Sequence, residues 1–206
     1  MHSHIKKVFF EDYVFYVWEN VYEPAEDSFL FAERLAVSMN DSVLDVGTGC
    51  GILGVTAAAK AAKVVAVDIN PSAVRCAKEN AELNGVAVKM FFVQSDLFAP
   101  LRSEEKFDLI LFNAPYVPVD VAEDDSWLGR AWAGGTSGRQ IMDSFICESP
   151  KYLRRDGRVF LMQSTLSDVE ETLRRFAKSG LKASVVAERA LPFFETVVLV
   201  KAERLS

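Results

Sequence analysis

Histidine is almost absent from this chain. Of 206 residues only two are histidine, His2 and His4, both at the N-terminal edge. A mechanism that needs an imidazole base or ligand inside the fold is therefore excluded, and the terminal His-x-His pair reads as a frayed end before it reads as a metal site. Cysteine is scarce too: Cys50, Cys76 and Cys147 are an odd number, widely spaced, with no C-x-x-C pair. That spacing argues against a disulfide framework and a zinc site and fits a reducing compartment, the cytoplasm. No apolar run approaches the roughly 18 residues of a membrane span. The opening MHSHIKKVFF carries two lysines but no long apolar core and no small-residue cleavage site, so no secretory signal is expected. Repeats, low-complexity tracts and Pro/Ser-rich linkers are also missing, which predicts one domain.

What is present is ordinary globular material, 50% hydrophobic and 25% charged, at a length suited to one large core. Acidic side chains outnumber basic ones, 29 to 23, for a net charge of −6. The overall field therefore does not favour a phosphate backbone. Arg154/Arg155 and Arg174/Arg175 are the candidates for a local basic patch, and their places near helix ends or on helix faces read as solvated surface. Asp120, Glu123, Asp124 and Asp125 form an acidic rim that suits a basic partner.

From residue 42 onward, apolar runs too continuous for half-exposed strands alternate with helical patterns. Strands are expected at 42–46, 63–68, 87–93, 107–112 and 157–163, with helices from about 51, at 71–84, about 137–153 and 167–179. This is the pattern of an α/β fold with a mostly parallel, doubly wound sheet covered on both faces. The runs 182–189 and 193–201, joined by a short link containing Pro192, predict a hairpin and hence an antiparallel strand at the C-terminal end. Ahead of residue 42, HIKKVFFEDYVFYVW predicts a small β-hairpin turning at Glu11-Asp12. Pro24 then opens a helix to about residue 39, with Glu26 and Asp27 in its first turn. Such sheets bind ligands beyond the carboxyl ends of their strands. The expected crevice gathers Asp45 to Gly51, Asp68, Asp96 with Leu97, and Asn113 to Val117.

LDVGTGCG, residues 44 to 51, follows the first strand and opens a helix, the context of a nucleotide-binding turn. Gly47, Gly49 and Gly51 permit positive φ and close approach of a ligand; a tight turn without ligand is the plainer alternative. Asp45, two residues before the first glycine, would repel a pyrophosphate and would suit a ligand with a cationic end, such as the ammonium and sulfonium of S-adenosylmethionine. Asp68, closing VVAVD, can accept both ribose hydroxyls or, more plainly, cap the helix at Pro71. Asp96 in QSDLF can accept an adenine amine, with the Leu97 backbone at the ring edge.

The order of glycine loop, strand-end acid, third-strand Asp and Asn-x-Pro-Tyr resembles class I S-adenosylmethionine-dependent methyltransferases. That resemblance implies a seven-stranded Rossmann-like sheet, with residues 41–206 as the cofactor-binding core and residues 1–40 as a hairpin and helix extension of a single domain. In that family, [Asp/Asn/Ser]-Pro-Pro-[Tyr/Phe] after the fourth strand marks transfer to a planar nitrogen. Such a nitrogen has a delocalised lone pair. The Asn113 side-chain oxygen and the Ala114 carbonyl can take its two N–H groups, Pro115 stiffens the turn, and Tyr116 packs on the planar group. Asn113 would also border the methyl donor. Alignment of that kind is worth about 7–11 kcal/mol and needs no strong base. Ala114 stands where the family has proline, which keeps the carbonyl and loses one ring constraint.

NVYEPAEDSFLFAERL (20 to 35) and AWAGGTSGRQIMDSF (131 to 145) resemble segments of the HemK/PrmC-like glutamine methyltransferases, in the short archaeal and eukaryotic branch. The resemblance implies methylation of the glutamine in the GGQ motif of a class-1 translation release factor. It also implies that Ser28 contacts the cofactor and that Ala133 to Gly135 shape the substrate mouth, where a helix cap and a flexible loop are the plainer readings. A small zinc-binding activator protein is implied along an edge strand at Met90 to Val93, where burial of both strand faces within the monomer is the plainer reading. An exocyclic amine of a nucleic-acid base, a protein lysine, and a noncatalytic cofactor-binding scaffold remain the alternatives.

Overall fold

The computed structural model describes residues 5–119, 126–192 and 195–204. His2, His4 and the acidic rim of Asp120, Glu123, Asp124 and Asp125 lie outside the described residues. The chain divides into two compact units, Met1–Leu101 and Arg102–Ser206. Among the described residues no helix is long and apolar enough to cross a membrane.

The first unit opens with a hairpin, β1 (Ile5–Phe10) and β2 (Tyr13–Trp18), in which Phe10 pairs with Tyr13 around the two-residue Glu11-Asp12 turn. Helix α1 spans Glu26–Glu33 and ends well short of residue 39. Its buried face is Leu30, Phe31 and Ala32, whereas residues 34–40 bury little, and helix in proteins persists mainly where a face is packed. Strand β3 (Ser42–Val46), helix α2 (Ile52–Ala58), strand β4 (Lys63–Asp68), helix α3 (Pro71–Leu83) and strand β5 (Met90–Gln94) follow. Residues 87–89, expected as strand, form a 3-10 turn; β5 starts at Met90, opposite Val64 of β4.

The hairpin is fixed to α3 by two carboxamides. Asn80 Oδ1 accepts from the Tyr16 amide at 2.8 Å and its Nδ2 donates to the Tyr16 carbonyl at 2.8 Å. Asn84 repeats this at Val14, at 3.0 and 2.8 Å. Four residues of helix advance about 6 Å and two residues of strand about 6.8 Å, so side chains at i and i+4 match alternate residues of a strand edge.

The second unit contains β6 (Phe107–Asn113), a short helix α4 (Trp127–Arg130) with no counterpart in the sequence reading, α5 (Gln140–Tyr152), β7 (Leu153–Ser164), α6 (Val169–Lys178), β8 (Leu181–Ala190) and β9 (Thr196–Arg204). Strand β7 starts four residues earlier than expected, and its pairing with β6 skips from Leu153 to Arg158, the irregularity that absorbs Arg154 and Arg155. Arg154 pairs with Asp108 at 2.9 Å, and Arg175 with Glu171 at 2.7 Å and Asp143 at 3.3 Å. Strand β9 runs antiparallel to both β7 and β8, as the C-terminal hairpin predicted.

The large sheet has seven strands in the order β5-β4-β3-β6-β7-β9-β8, mostly parallel. Its runs are buried almost continuously: Val64 to Val67 in β4, Leu109 to Phe112 in β6, Val159 to Met162 in β7 and Val197 to Val200 in β9. Covering both faces explains why no alternation shows in these strands. Each fully buried aliphatic side chain stabilises the fold by about 1.5–3 kcal/mol.

Candidate active site

In the first unit the turn after β3 depends on its glycines. Gly47, Gly49 and Gly51 have φ of 65°, 57° and 90°. A Cβ on Gly51 would lie 3.1 Å from Cα and Cβ of Ala77, so α3 leaves no room for one. Beside Gly49 there is open space within 4 Å, which is the side from which a ligand can reach the backbone.

Asp45 lies beneath this turn and is wholly buried. Its Oδ2 accepts from Thr48 Oγ1 at 2.6 Å, and a Cβ on Gly54 would sit 2.8 Å from that same oxygen. Oδ1 has no hydrogen-bond partner among the described residues. Desolvation is the main reason the carboxyl is pushed up to about 7; the Thr48 and Gly54 hydrogen bonds oppose the rise and the nearby Asp68 charge adds to it. A buried carboxylate oxygen with no donor can be answered by a proton or by a cationic group. The residues present therefore fit a ligand with a positively charged end.

Asp68 closes β4 and holds two backbone amides: Gly49 N donates to Oδ2 and Asn70 N to Oδ1, both at 2.9 Å. Burial raises its pKa, and these amide bonds lower it. The helix-cap reading of Asp68 fails, because Asn70 caps α3 by accepting from Ser72 N at 2.9 Å. A carboxylate has about four lone-pair sites, so Asp68 retains acceptor capacity beyond its backbone amides. After β5, Asp96 is exposed, and Leu97 has φ of 47°, a left-handed conformation uncommon outside glycine. Ser95 Oγ holds it by donating to the Leu97 carbonyl at 2.7 Å, and Phe98 anchors the turn in the core. Ser28 is buried in the first turn of α1, where its amide and hydroxyl donate to Asp27 Oδ1 at 2.6 and 3.1 Å. The cap residue there is Ala25, so Ser28 is not the helix cap.

In the second unit, Asn113 ends β6 and Ala114-Pro115-Tyr116 follow, with Ala114 and Tyr116 buried. The segment 131–140 folds back onto this turn. Val117 N donates to the Trp132 carbonyl at 3.0 Å, Gly134 N to the Val117 carbonyl at 2.9 Å, and Val119 N to the Gly135 carbonyl at 3.0 Å. Ala133 pairs with Val117 in an isolated bridge, and Gly134 and Gly135 are buried, so this loop is a packed wall. Three residues that sequence reasoning did not single out complete it: Gly138, Arg139 and Ser167. Their partners are distant in sequence, and the glycine run at 134, 135 and 138 was the one legible signal.

Residues 20–127 match the family model described as the methyltransferase small domain. A Methanocaldococcus jannaschii protein that carries the name N5-glutamine methyltransferase is 45% identical over 181 residues, 87% of this chain and 90% of the relative. Human methyltransferase HEMK2 is 34% identical over 199 residues, 91% of this chain and 88% of the relative. The E. cuniculi Mtq2–Trm112 complex, described as responsible for methylation of the eRF1 translation termination factor, superposes with a TM-score of 0.70 at 25% identity, covering 90% of this chain and 99% of that one. The chain belongs to the methyltransferase small domain family, among the relatives of the archaeal N5-glutamine methyltransferase and human HEMK2.

Proposed function

We propose that this protein transfers a methyl group from S-adenosylmethionine to the side-chain amide nitrogen of the GGQ glutamine of a class-1 translation release factor, in the cytoplasm. One observation carries the reading. The match to the Methanocaldococcus N5-glutamine methyltransferase runs over 87% of the chain, and any stretch of that length includes both the glycine turn and the Asn113 to Tyr116 motif.

In this reading Gly47, Gly49 and Gly51 admit the donor to the backbone, and Asp45 answers its cationic end. Asp68 takes the ribose hydroxyls, Asp96 and the Leu97 backbone take the adenine, and Ser28 and Asn113 border the donor. S-adenosylmethionine supplies a methyl group on a sulfonium, whose positive charge is quenched on transfer. The amide nitrogen gains the methyl group and releases one proton, which passes from the N–H bonded at Asn113 or Ala114 to solvent once transfer is complete. Asn113 and the Ala114 carbonyl accept its two N–H groups, so the lone pair is turned toward the donor instead of into hydrogen bonds. Pro115 fixes the turn and Tyr116 packs against the amide plane. Orientation and exclusion of water supply the rate, consistent with an interior that has no histidine.

A small zinc-binding activator along β5 is the partner in this reading. Strand β5 pairs with β4 alone in its own unit, Phe91 is 54% exposed, and Val88, in the turn just before the strand, is 89% exposed. An apolar sheet edge of this kind is suited to an added strand. Phe91→Lys is expected to weaken activator binding at least tenfold by titration while leaving donor affinity unchanged; unchanged activator affinity removes β5 as the docking edge.

The direct test is incubation of the full chain with labelled donor and release factor, with and without activator. Label is expected on wild-type release factor and not on one whose GGQ glutamine is changed. Label that persists after that change overturns the glutamine assignment.

A further inference from the structure

The hydroxyl of Ser167 donates to the main-chain carbonyl of Tyr116, across 51 residues, and both residues are buried. The same carbonyl is approached by Gly138, where φ is 70° and a Cβ would lie 2.4 Å from the Tyr116 oxygen and 2.7 Å from Ser167 Oγ. No side chain fits at residue 138 without displacing this bond. Arg139, itself buried, grips the far side of Ser167: Nη1 donates to the carbonyls of Ser167 and Asp168, the latter at 2.7 Å, and to Thr172 Oγ1 at 3.0 Å, while Nη2 donates to Asp143 Oδ1 at 2.8 Å. Gln163 Nε2 adds a long bond of 3.5 Å to the Ser167 carbonyl. Ser167 is therefore held at its carbonyl by Arg139 and Gln163 while its hydroxyl reaches the turn that follows β6.

We infer that Ser167, admitted by Gly138 and braced by Arg139, is a positioning residue that latches the Asn113 to Tyr116 turn in the orientation its acceptor carbonyls need. The inference rests on the assignment of that turn as the amide-binding element. With alanine at 114, Pro115 is the one ring constraint ahead of Tyr116, and a two-bond rotation about residues 114 to 116 would swing the Ala114 carbonyl away from an N–H. A hydrogen bond to the next carbonyl but one suppresses that rotation. Ser167 touches neither donor nor amide in this role; it acts through the Tyr116 backbone. Misplacement of reacting groups by about 1 Å can cost roughly 10²-fold in rate.

The test compares wild type, Ser167→Ala, Ser167→Thr and Gly138→Ala as full chains. Ser167→Ala should lower kcat for release-factor methylation about tenfold at saturating substrates and leave the donor Kd within twofold. Hydrogen exchange of the amides in 114–119 should accelerate about tenfold, with 42–58 unchanged. Ser167→Thr keeps the hydroxyl and should recover most of both losses, whereas Gly138→Ala, which pushes on the same carbonyl, should reproduce them. Unchanged exchange in 114–119, or equal losses in the alanine and threonine variants accompanied by weaker donor binding, overturns the latch. Absence of glutamine label with the wild-type chain refutes the functional assignment instead, and the exchange comparison still decides whether Ser167 holds the turn.

Discussion

The turn after β3 and the turn after β6 both follow parallel strands, yet they are secured by different means. The first is held by glycines in left-handed conformations over two carboxylates raised above their ordinary range, one with an oxygen that lacks a donor. The second is held by main-chain hydrogen bonds at residues 117 and 119 from a glycine-rich wall and by the Ser167 hydroxyl at residue 116. A turn built on unsatisfied charge tolerates a charged visitor because the visitor completes it. A turn whose backbone is already bonded offers fixed dipoles, which is what a neutral, weakly nucleophilic amide requires. The two halves should therefore fail separately: donor affinity through the first, rate through the second.

The largest break expected lies in the second half. Asn113→Ala removes an acceptor that must face the nitrogen during transfer, and loss of one such preorganised group costs about 10²–10³ in rate. Label incorporation into release factor at saturating donor measures it. Next in size is Asp68→Ala, which removes a charged acceptor and also frees the Gly49 and Asn70 amides. Hydrogen bonds to charged groups are worth about 1.5–3 kcal/mol, so donor affinity should fall roughly 10–100-fold by titration, while the turnover of enzyme saturated with donor changes far less.

The effect that is smallest near neutral pH is one of pH itself. Burial pushes Asp45 up to about 7, above its unfolded value, so the folded state holds this proton more tightly. Its contribution to the stability of the ligand-free protein is full below the unfolded carboxylate value and is lost as pH rises through about 7. Donor binding has the opposite sign, because a cation requires the ionised carboxylate. Affinity should therefore rise with pH to a plateau above about 7, falling by up to tenfold per unit below it, and Asp45→Asn should flatten the profile. Titrations between pH 5.5 and pH 8 check this.

Local pattern revealed much of the fold. Strands β3 and β4 begin and end where the apolar runs SVLDV and KVVAVD do; turn residues bound β3 on both sides, Asn40-Asp41 and Gly47, and Asn70-Pro71 follow β4. Boundaries set by partners were not legible. Residues 87–89 look like strand, but β5 needs β4 beside it and pairing begins at Met90. The helix from Glu26 lacks a stop signal after Glu33 and ends where burial ends. The site divides in the same way. Asp45, Asp68, Leu97 and Asn113 lie at or just after the carboxyl ends of strands and are picked out by the topology rule, whereas the Ser167 and Gly138 contacts with Tyr116 depend on how loops close over one another. Asp45 also carried a surprise: the sequence suggested a carboxylate facing the ligand, and the structure sets it beneath the glycine turn with one oxygen unanswered.

Division of labour between the halves is most directly tested by calorimetric titration of S-adenosylmethionine into the Asn113→Ala protein. Independent halves predict a Kd within about threefold of wild type in a protein that no longer methylates release factor. A Kd weakened in proportion to the lost activity would contradict the separation, because the border that Asn113 shares with the donor would then supply much of the donor's binding energy.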